Sequence, residues 1–298
     1  MNEKSNTKAP RVIAEIGCNH KGDISIAKEM INTAKQFCNV YAVKFQKRNP
    51  KELLSNDEYN RPHPVSSNSY GNTYGEHREF LEFNKEEHLE LKNFCESLDI
   101  IYSTSVWDVT SARQIISLKP DFIKVPSACN LNKKLIEVLC KEYEGDIHLS
   151  LGMTTKDEEE RIVKFFENHN RNNNLVIYSC TSGYPVPFDE VCINEILRLK
   201  EKFHDKVKSI GFSGHHLGIA IDLGAFLYGA EWIERHYTLD RSWKGTDHAA
   251  SLEPAGLRKL VRDLDALSMS MSNKPKDILD IEVEQRNKLK KNQILWEE

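Results

Sequence analysis

Short runs of β-branched and aromatic residues alternate along the whole chain with longer segments of helical period, the pattern of βα units feeding a parallel sheet. Eight such runs occur, at residues 11–16, 40–46, 100–103, 122–125, 147–151, 175–179, 209–213 and 232–236, with helical periodicity between most of them, as at 26–37, 85–98, 110–118 and 190–202. Eight strands in about 250 residues predict an α/β chain folded as a closed (β/α)8 TIM barrel. The competing architecture, a doubly wound open sheet, usually has fewer strands, and no GxGxxG follows the first run. The barrel is expected over residues 8–268. Residues 269–298, ending in KLKKNQILWEE, are expected to form a helical extension or tail, with no second domain.

One connection breaks the rhythm. Residues 47–99 separate the second and third runs, and the segment 48–78 is rich in Asn, Ser, Pro, Tyr and Gly. A connection of that length is usually either functional or solvated insertion. Its Tyr59, Arg61, His63, Tyr70, Tyr74 and His77 are contact-making types, which favours a loop that covers a substrate.

Composition narrows the function classes. A chain of 298 residues with 39% hydrophobic and 29% charged residues has the balance of a globular protein. Its formal charge of -4 leaves no excess of cations to neutralise nucleic-acid phosphates, so no nucleic-acid partner is expected. No apolar run approaches the roughly 18 to 20 residues of a membrane span, and the opening MNEKSNTKAP lacks the apolar core of a signal peptide. No membrane association and a cytoplasmic location are therefore expected. Cysteines 18, 38, 95, 129, 140, 180 and 192 are odd in number and lack CxxC spacing, so they are read as reduced thiols, mainly core-packing.

In a barrel of this class the chemistry collects where the strands end, because the βα loops meet there. Each predicted strand delivers polar residues to that rim. Glu15 with Gly17, Asn19 and His20 ends the first; Lys44 and Gln46 lie on the second; Ser103, Thr104 and Ser105 on the third; Lys124 and Ser127 on the fourth. The fifth brings Ser150, the sixth Ser179, Thr181 and Ser182, the seventh Ser213, His215 and His216, and the eighth Glu234, Arg235 and His236. Two inward lysines among hydroxyls make a cup suited to a small phosphorylated carboxylate. The alternative is that Lys44 and Lys124 pair with acids inside the barrel, since a buried ammonium is costly without a partner. His215 and His236, at the ends of adjacent strands, are placed to share one divalent ion with open positions, or else to serve as ordinary hydrogen-bonding residues. Asp247, in WKGTDHAASLEP, is placed for a water-mediated contact to such an ion.

The segments AEIGCNHKGD, AVKFQKR, TYGEHREFLEF, IKVPSACN, SLGMTT, CTSGYPVP, IGFSGHHLGIAI and WIERHYTLDRSWKGTDHAASLEP follow the order and spacing found in the sialic acid synthases. The chain resembles the N-acetylneuraminate synthase family over roughly residues 8 to 291, and most resembles the branch that includes the sialic acid phosphate synthases. The resemblance implies a barrel enzyme, a C–C bond-forming transferase. It condenses phosphoenolpyruvate with an open-chain N-acylmannosamine-like or mannose-like sugar, or its 6-phosphate, giving a nine-carbon 3-deoxy-2-ulosonic acid and phosphate. It implies that Lys44, Thr104, Lys124, Ser127, Ser150 and Ser213 hold phosphoenolpyruvate, with Ser182 beside them. Glu15 would manage protons at the reacting carbons. His215 and His236 would be catalytic metal ligands, for manganese first, with magnesium, cobalt or zinc as alternatives. Tyr184 and Asp247 match sugar contacts, and Tyr74 and Arg61 of the long connection are added as sugar-side candidates. Related readings are a synthase for a shorter sugar, of the octulosonate type, and an inactive ligand-binding or scaffold barrel.

Two departures from the family pattern stand out: Cys129 occupies a position where many members carry an acid, and Ser182 one where some carry Asn. The family usually continues into a small antifreeze-like domain whose arginine contacts the sugar's N-acyl group in the partner subunit. None is expected in this chain, which points to a separate capping subunit, a rearranged loop or a different sugar such as a hexose, with a homodimer as one candidate assembly.

Overall fold

The computed structural model describes residues 8–291. Its eight strands are β1 (Arg11–Gly17), β2 (Ala42–Lys47), β3 (Ile101–Val106), β4 (Phe122–Val125), β5 (Asp146–Ser150), β6 (Leu175–Cys180), β7 (Ser209–Gly214) and β8 (Trp232–His236). All pair in parallel and in chain order, and β8 closes on β1, so the sheet is the predicted barrel. The helices are α1 (Ile24–Gln36), α2 (Pro50–Leu53), α3 (Asn56–Asn60), α4 (Tyr74–Phe80), α5 (Lys85–Ser97), α6 (Val109–Ile116), α7 (Lys133–Glu142), α8 (Lys156–Asn168), α9 (Glu195–Phe203), α10 (Ala220–Leu227), α11 (Pro254–Ser270) and α12 (Asp280–Leu289).

Local chemistry sets the helix starts. Asp23 accepts from the Ser25 and Ile26 amides ahead of α1, and Asn84 and Thr155 form reciprocal capping boxes with Glu87 and Glu158 ahead of α5 and α8. Residues 10–264 make one compact unit that contains the barrel. A second unit holds, among the described residues, 8–9 and 265–291, which include the C-terminal part of α11 and helix α12. Residues 292–298 of the expected extension lie outside the described residues.

The barrel interior is apolar below and charged above. Ile13, Ala42, Phe122, Val176, Tyr178 and Trp232 form a buried cluster. Because side chains alternate along a strand, two residues further on the same inward face reaches Glu15, Lys44, Lys124, Cys180 and Glu234. Strand register sets Glu15 opposite Lys44 on one side and His236 on the other, and Ser213 opposite Glu234. A bulge after Glu15, with Gly17 at φ 56°, turns the chain over the Gln46 side chain; a Cβ there would lie 3.1 Å from Gln46 Nε2 in a backbone region that disfavours L side chains.

The long connection after β2 is a helical insertion. It contains α2, α3, a short 3-10 turn at Ser66–Asn68 and α4. Tyr70 stacks on Phe80 with centroids 5.0 Å apart and donates its hydroxyl hydrogen to the Lys244 carbonyl at 2.6 Å, which ties the insertion to the loop after β8.

Candidate active site

At the C-terminal mouth of the barrel lies a cavity of about 350 Å³. Among its lining residues are Glu15, Lys44, Lys124, Ser127, Ser150, Ser182, Tyr184, Ser213, His215, His236 and Asp247, all sequence candidates, brought together from β1, β2 and the ends of β4 to β8. Its floor is ionic. Lys44 pairs with Glu15, lies 3.7 Å from Glu234 and donates to Ser105 Oγ at 2.6 Å. Lys124 lies 2.5 Å from Glu234 Oε1, which also accepts from Ser213 Oγ at 3.0 Å. The alternative reading of the lysines is thus the one observed: both pair with acids inside the barrel, and they line the cavity while doing so.

The two acids sit in different fields. Burial pushes the Glu15 carboxyl up, and Glu234 adds to that, against the opposing pull of Lys44. Burial also raises Glu234, but Lys124 and Lys44 together outweigh it and hold that carboxyl well below the usual range. Glu234 is thus a fixed negative charge, whereas the proton affinity of Glu15 is raised, which suits a group that exchanges a proton. Gln46 donates to Glu15 Oε1 at 3.0 Å and fixes the direction of the poised carboxyl.

Ser127 and Ser182 converge on the β5 loop at Gly152. A Cβ there would meet their hydroxyl oxygens at 2.5 and 2.6 Å, so only glycine lets the backbone approach both. Asn130 braces this corner by donating to the Ser150 and Gly152 carbonyls at 2.9 and 3.1 Å.

The rings of His215 and His236 have centroids 5.4 Å apart, and Tyr184 packs 4.3 Å from the first and 5.8 Å from the second. His215 Nδ1 donates to the Thr181 carbonyl at 2.9 Å, which leaves Nε2 as its acceptor nitrogen. Burial lowers His236 to about 4 and keeps it neutral, and its Nδ1 is buried without a hydrogen bond. Burial lowers the proton affinity of His215, but Cys180 and the Thr181 carbonyl outweigh it and raise it; the two adjacent imidazoles match the donor chemistry of a borderline divalent ion with His215 in its unprotonated form. For Asp247, burial is outweighed by His236 and Arg48, which hold its carboxyl low.

Three sequence candidates lie elsewhere. Thr104 points outward from β3, its hydroxyl donating to Tyr102 Oη at 2.6 Å, because Ser103 and Ser105 take the inward positions; Ser105 is the residue that meets Lys44. Tyr74 and Arg61 do not line the cavity. Arg61 lies over the Tyr74 ring at 5.2 Å, and Tyr74 Oη accepts from Arg78, which does line it. His20, His216 and Arg235 of the predicted rim also turn away: His20 stacks on Phe83 at 4.0 Å, and Arg235 pairs with Asp222 and donates to the His216 carbonyl at 2.6 Å. The cavity adds Arg48, Arg78 and Trp107 to the candidate set and takes Ser105 from the predicted rim of the third strand. Strand parity read from Lys44 and Lys124 identifies Ser105, whereas Arg48 and Arg78 are signalled only by their charge.

A closed barrel whose mouth is lined by compensated lysines, a hydroxyl ring and paired imidazoles defines a (β/α)8-barrel enzyme for small anionic substrates. The chain belongs to the NeuB family, whose model matches residues 30–276. It is 35% identical to the N-acetylneuraminate-9-phosphate synthases of Mus musculus and Homo sapiens over 283 residues, 95% of this chain and 77% of each relative. It is 31% identical to the N,N'-diacetyllegionaminic acid synthase of Campylobacter jejuni, covering 89% of this chain and 78% of that one. The crystal structure of the N-acetylneuraminic acid (sialic acid) synthetase from Leptospira borgpetersenii in complex with citrate superposes with a TM-score of 0.78 at 28% identity, covering 96% of this chain and 94% of that one. The chain is thus an enzyme of the sialic acid synthase class, a C–C bond-forming transferase. No helix among the described residues is long and apolar enough to cross a membrane.

Proposed function

We propose that the cup binds phosphoenolpyruvate and joins it to the aldehyde of an open-chain mannose-like or N-acylmannosamine-like sugar, giving a nine-carbon 3-deoxy-2-ulosonic acid and phosphate. The observation that carries this reading is the floor: two buried lysines shared between a fixed acid, Glu234, and a poised one, Glu15, beneath a ring of serine hydroxyls. Lys44 and Lys124 take the phosphate and carboxylate of phosphoenolpyruvate, and Ser127, Ser150, Ser182 and Ser213 satisfy its remaining oxygens. The sugar stacks on Tyr184 and hydrogen-bonds Asp247 on the other side of the cavity.

His215 and His236 would hold a divalent cation, manganese first, which supplies Lewis-acid polarisation of the aldehyde oxygen. C3 of phosphoenolpyruvate forms the new bond to the aldehyde carbon, and the aldehyde oxygen takes a proton from solvent to become a hydroxyl, a proton returned to solvent when the tetrahedral centre later loses its hydroxyl proton. Water adds at the electron-poor C2 and gives its proton to Glu15, whose position at the Gln46–Lys44 junction and raised proton affinity suit a base. The tetrahedral centre then expels phosphate by C–O cleavage and becomes a ketone. Lys124 and Lys44 balance the charge of the departing dianion.

The reading also includes assembly as a homodimer or with a capping subunit. Exposed apolar side chains around the mouth support it: Met153, Tyr184, Phe188 and Leu217. The test of the chemistry is phosphate release from phosphoenolpyruvate with manganese, across N-acetylmannosamine, mannose, their 6-phosphates and shorter aldoses, with mass spectrometry of the product. A nine-carbon ulosonate is expected. An eight- or seven-carbon product, or no release with any aldose, overturns the reading.

A further inference from the structure

The two lysines of the floor are met differently. Lys44 is surrounded by oxygen: it pairs with Glu15, donates to Ser105 Oγ at 2.6 Å and lies 3.7 Å from Glu234. Lys124, among the described residues, has one hydrogen-bond acceptor, Glu234 Oε1 at 2.5 Å, and its Nζ stands 4.4 Å over the centre of the Tyr178 ring. An ammonium has three protons to place. Glu15 and Ser105 take two of those of Lys44, whereas Glu234 takes one of those of Lys124 and an aromatic face supports the charge.

Tyr178 is itself held in place. It is fully buried on β6, in the apolar cluster beneath the cavity, and does not line the cavity. Its hydroxyl is hydrogen-bonded to His148 Nδ1 at 2.8 Å, and the His148 ring stacks on Phe122 at 4.1 Å and meets Trp232 edge to face at 4.6 Å. Gly211 is its register partner on β7. A Cβ on that residue would lie 2.5 Å from Tyr178 Cε1, so glycine leaves the ring its space.

We infer that Tyr178 is a positioning residue for the anion site: its ring face seats the Lys124 ammonium from the side away from the cavity and leaves it turned toward a bound phosphate or carboxylate. The inference deepens the phosphoenolpyruvate reading of the cup and rests on it. Burial favours the neutral form of Lys124, with Glu234 opposing; the negative face of a ring adds to that opposition. A third carboxylate in the same place would also stabilise the cation, but it would repel an anionic substrate and compete with it for the ammonium. The ring adds no net charge to a floor where two carboxylates already meet two ammonium groups. Lys124 thus keeps its charge and a free donor for the substrate.

The test changes the charge of the ring face at nearly constant shape. Phenylalanine and its mono-, di- and trifluorinated analogues are placed at position 178 of the full chain, and calorimetry with magnesium present measures the Kd of phosphoenolpyruvate and of inorganic phosphate. Tyr178→Phe keeps the ring and should bind both anions within about threefold of the wild type. Kd should then rise step by step with fluorination, to about tenfold at three fluorines, and Tyr178→Leu should be at least as weak. The same series at Phe122, which belongs to the same cluster but stacks on His148, should leave both affinities unchanged. A flat or inverted series at position 178, or an equal slope at 122, overturns the seat and leaves the synthase reading standing. Phosphate binding that follows the series, without any binding of phosphoenolpyruvate, upholds the seat and overturns the synthase reading; binding of neither anion overturns both.

Discussion

Lys124 and Glu234 meet at the barrel floor with Nζ 2.5 Å from Oε1, both side chains nearly sealed from solvent, and the same carboxylate lies 3.7 Å from Lys44. One acid therefore compensates two buried ammonium groups. Glu234→Gln should destabilise the ligand-free protein by about 3–5 kcal/mol, because it leaves buried cations short of a partner. Phosphoenolpyruvate brings replacement negative charge, so it should raise the Tm of the variant more than that of the wild type. Thermal melts with and without the ligand measure this; equal increments in the two proteins would refute the compensating role.

Glu15→Gln keeps the size and most hydrogen-bonding capacity of the side chain while removing its proton chemistry. The variant should fold and bind phosphoenolpyruvate, with kcat reduced by about 10²- to 10⁴-fold. The sign of the pH effect follows from the raised proton affinity of Glu15. A base must be unprotonated, so the acid limb of the kcat/KM profile should lie above the ordinary carboxylate value of 4.5 and disappear in the variant. A kcat like the wild type's would sink the role.

Thr104 and Ser105 are adjacent but face opposite layers. Thr104→Val should change kcat and KM by less than twofold, since its hydroxyl bonds only Tyr102 behind the sheet. Ser105→Ala removes an acceptor from Lys44 and should raise KM for phosphoenolpyruvate about fivefold or more. Steady-state kinetics of the pair would expose the reverse order, if it held.

Gly152→Ala places a methyl within 2.5–2.6 Å of the Ser127 and Ser182 hydroxyls, which must rotate away. We expect KM for phosphoenolpyruvate to rise about tenfold or more, with less than 1 kcal/mol lost in stability, because the flexible hydroxyls give way before the backbone does. Kinetics combined with chemical denaturation separate the two effects. A large stability loss at unchanged KM would mean that Gly152 serves folding alone.

Much of this molecule was legible before any coordinates. The strand runs located all eight staves, and β4 and β8 coincide with the predicted bounds, because β-branched and aromatic clustering between helical periods is a local signal. Glu15, Lys44, Lys124, Ser213 and the two histidines stand near predicted strand ends, and all six line the cavity. Thr104 enters the candidate set through the family resemblance, whereas alternation along β3 turns Ser103 and Ser105 inward and Thr104 outward. The segment 48–78 read as a loop because its helices are short and set by caps such as Ser55–Glu58 and Thr73–Glu76, which a search for longer periods passes over.

The sequence by itself determined the barrel, the family and the residue types of the cup, since all three rest on pattern and order along the chain. Only the tertiary structure decided which charges meet. That Glu234 serves both lysines, that Glu15 is the poised acid, that Gly152 sits against two serines and that Arg78 leans on Tyr74 are consequences of closing eight strands into a ring. Closure brings groups as far apart as residues 124 and 234 within hydrogen-bonding distance, and burial there makes each unpaired charge costly enough to fix its partner.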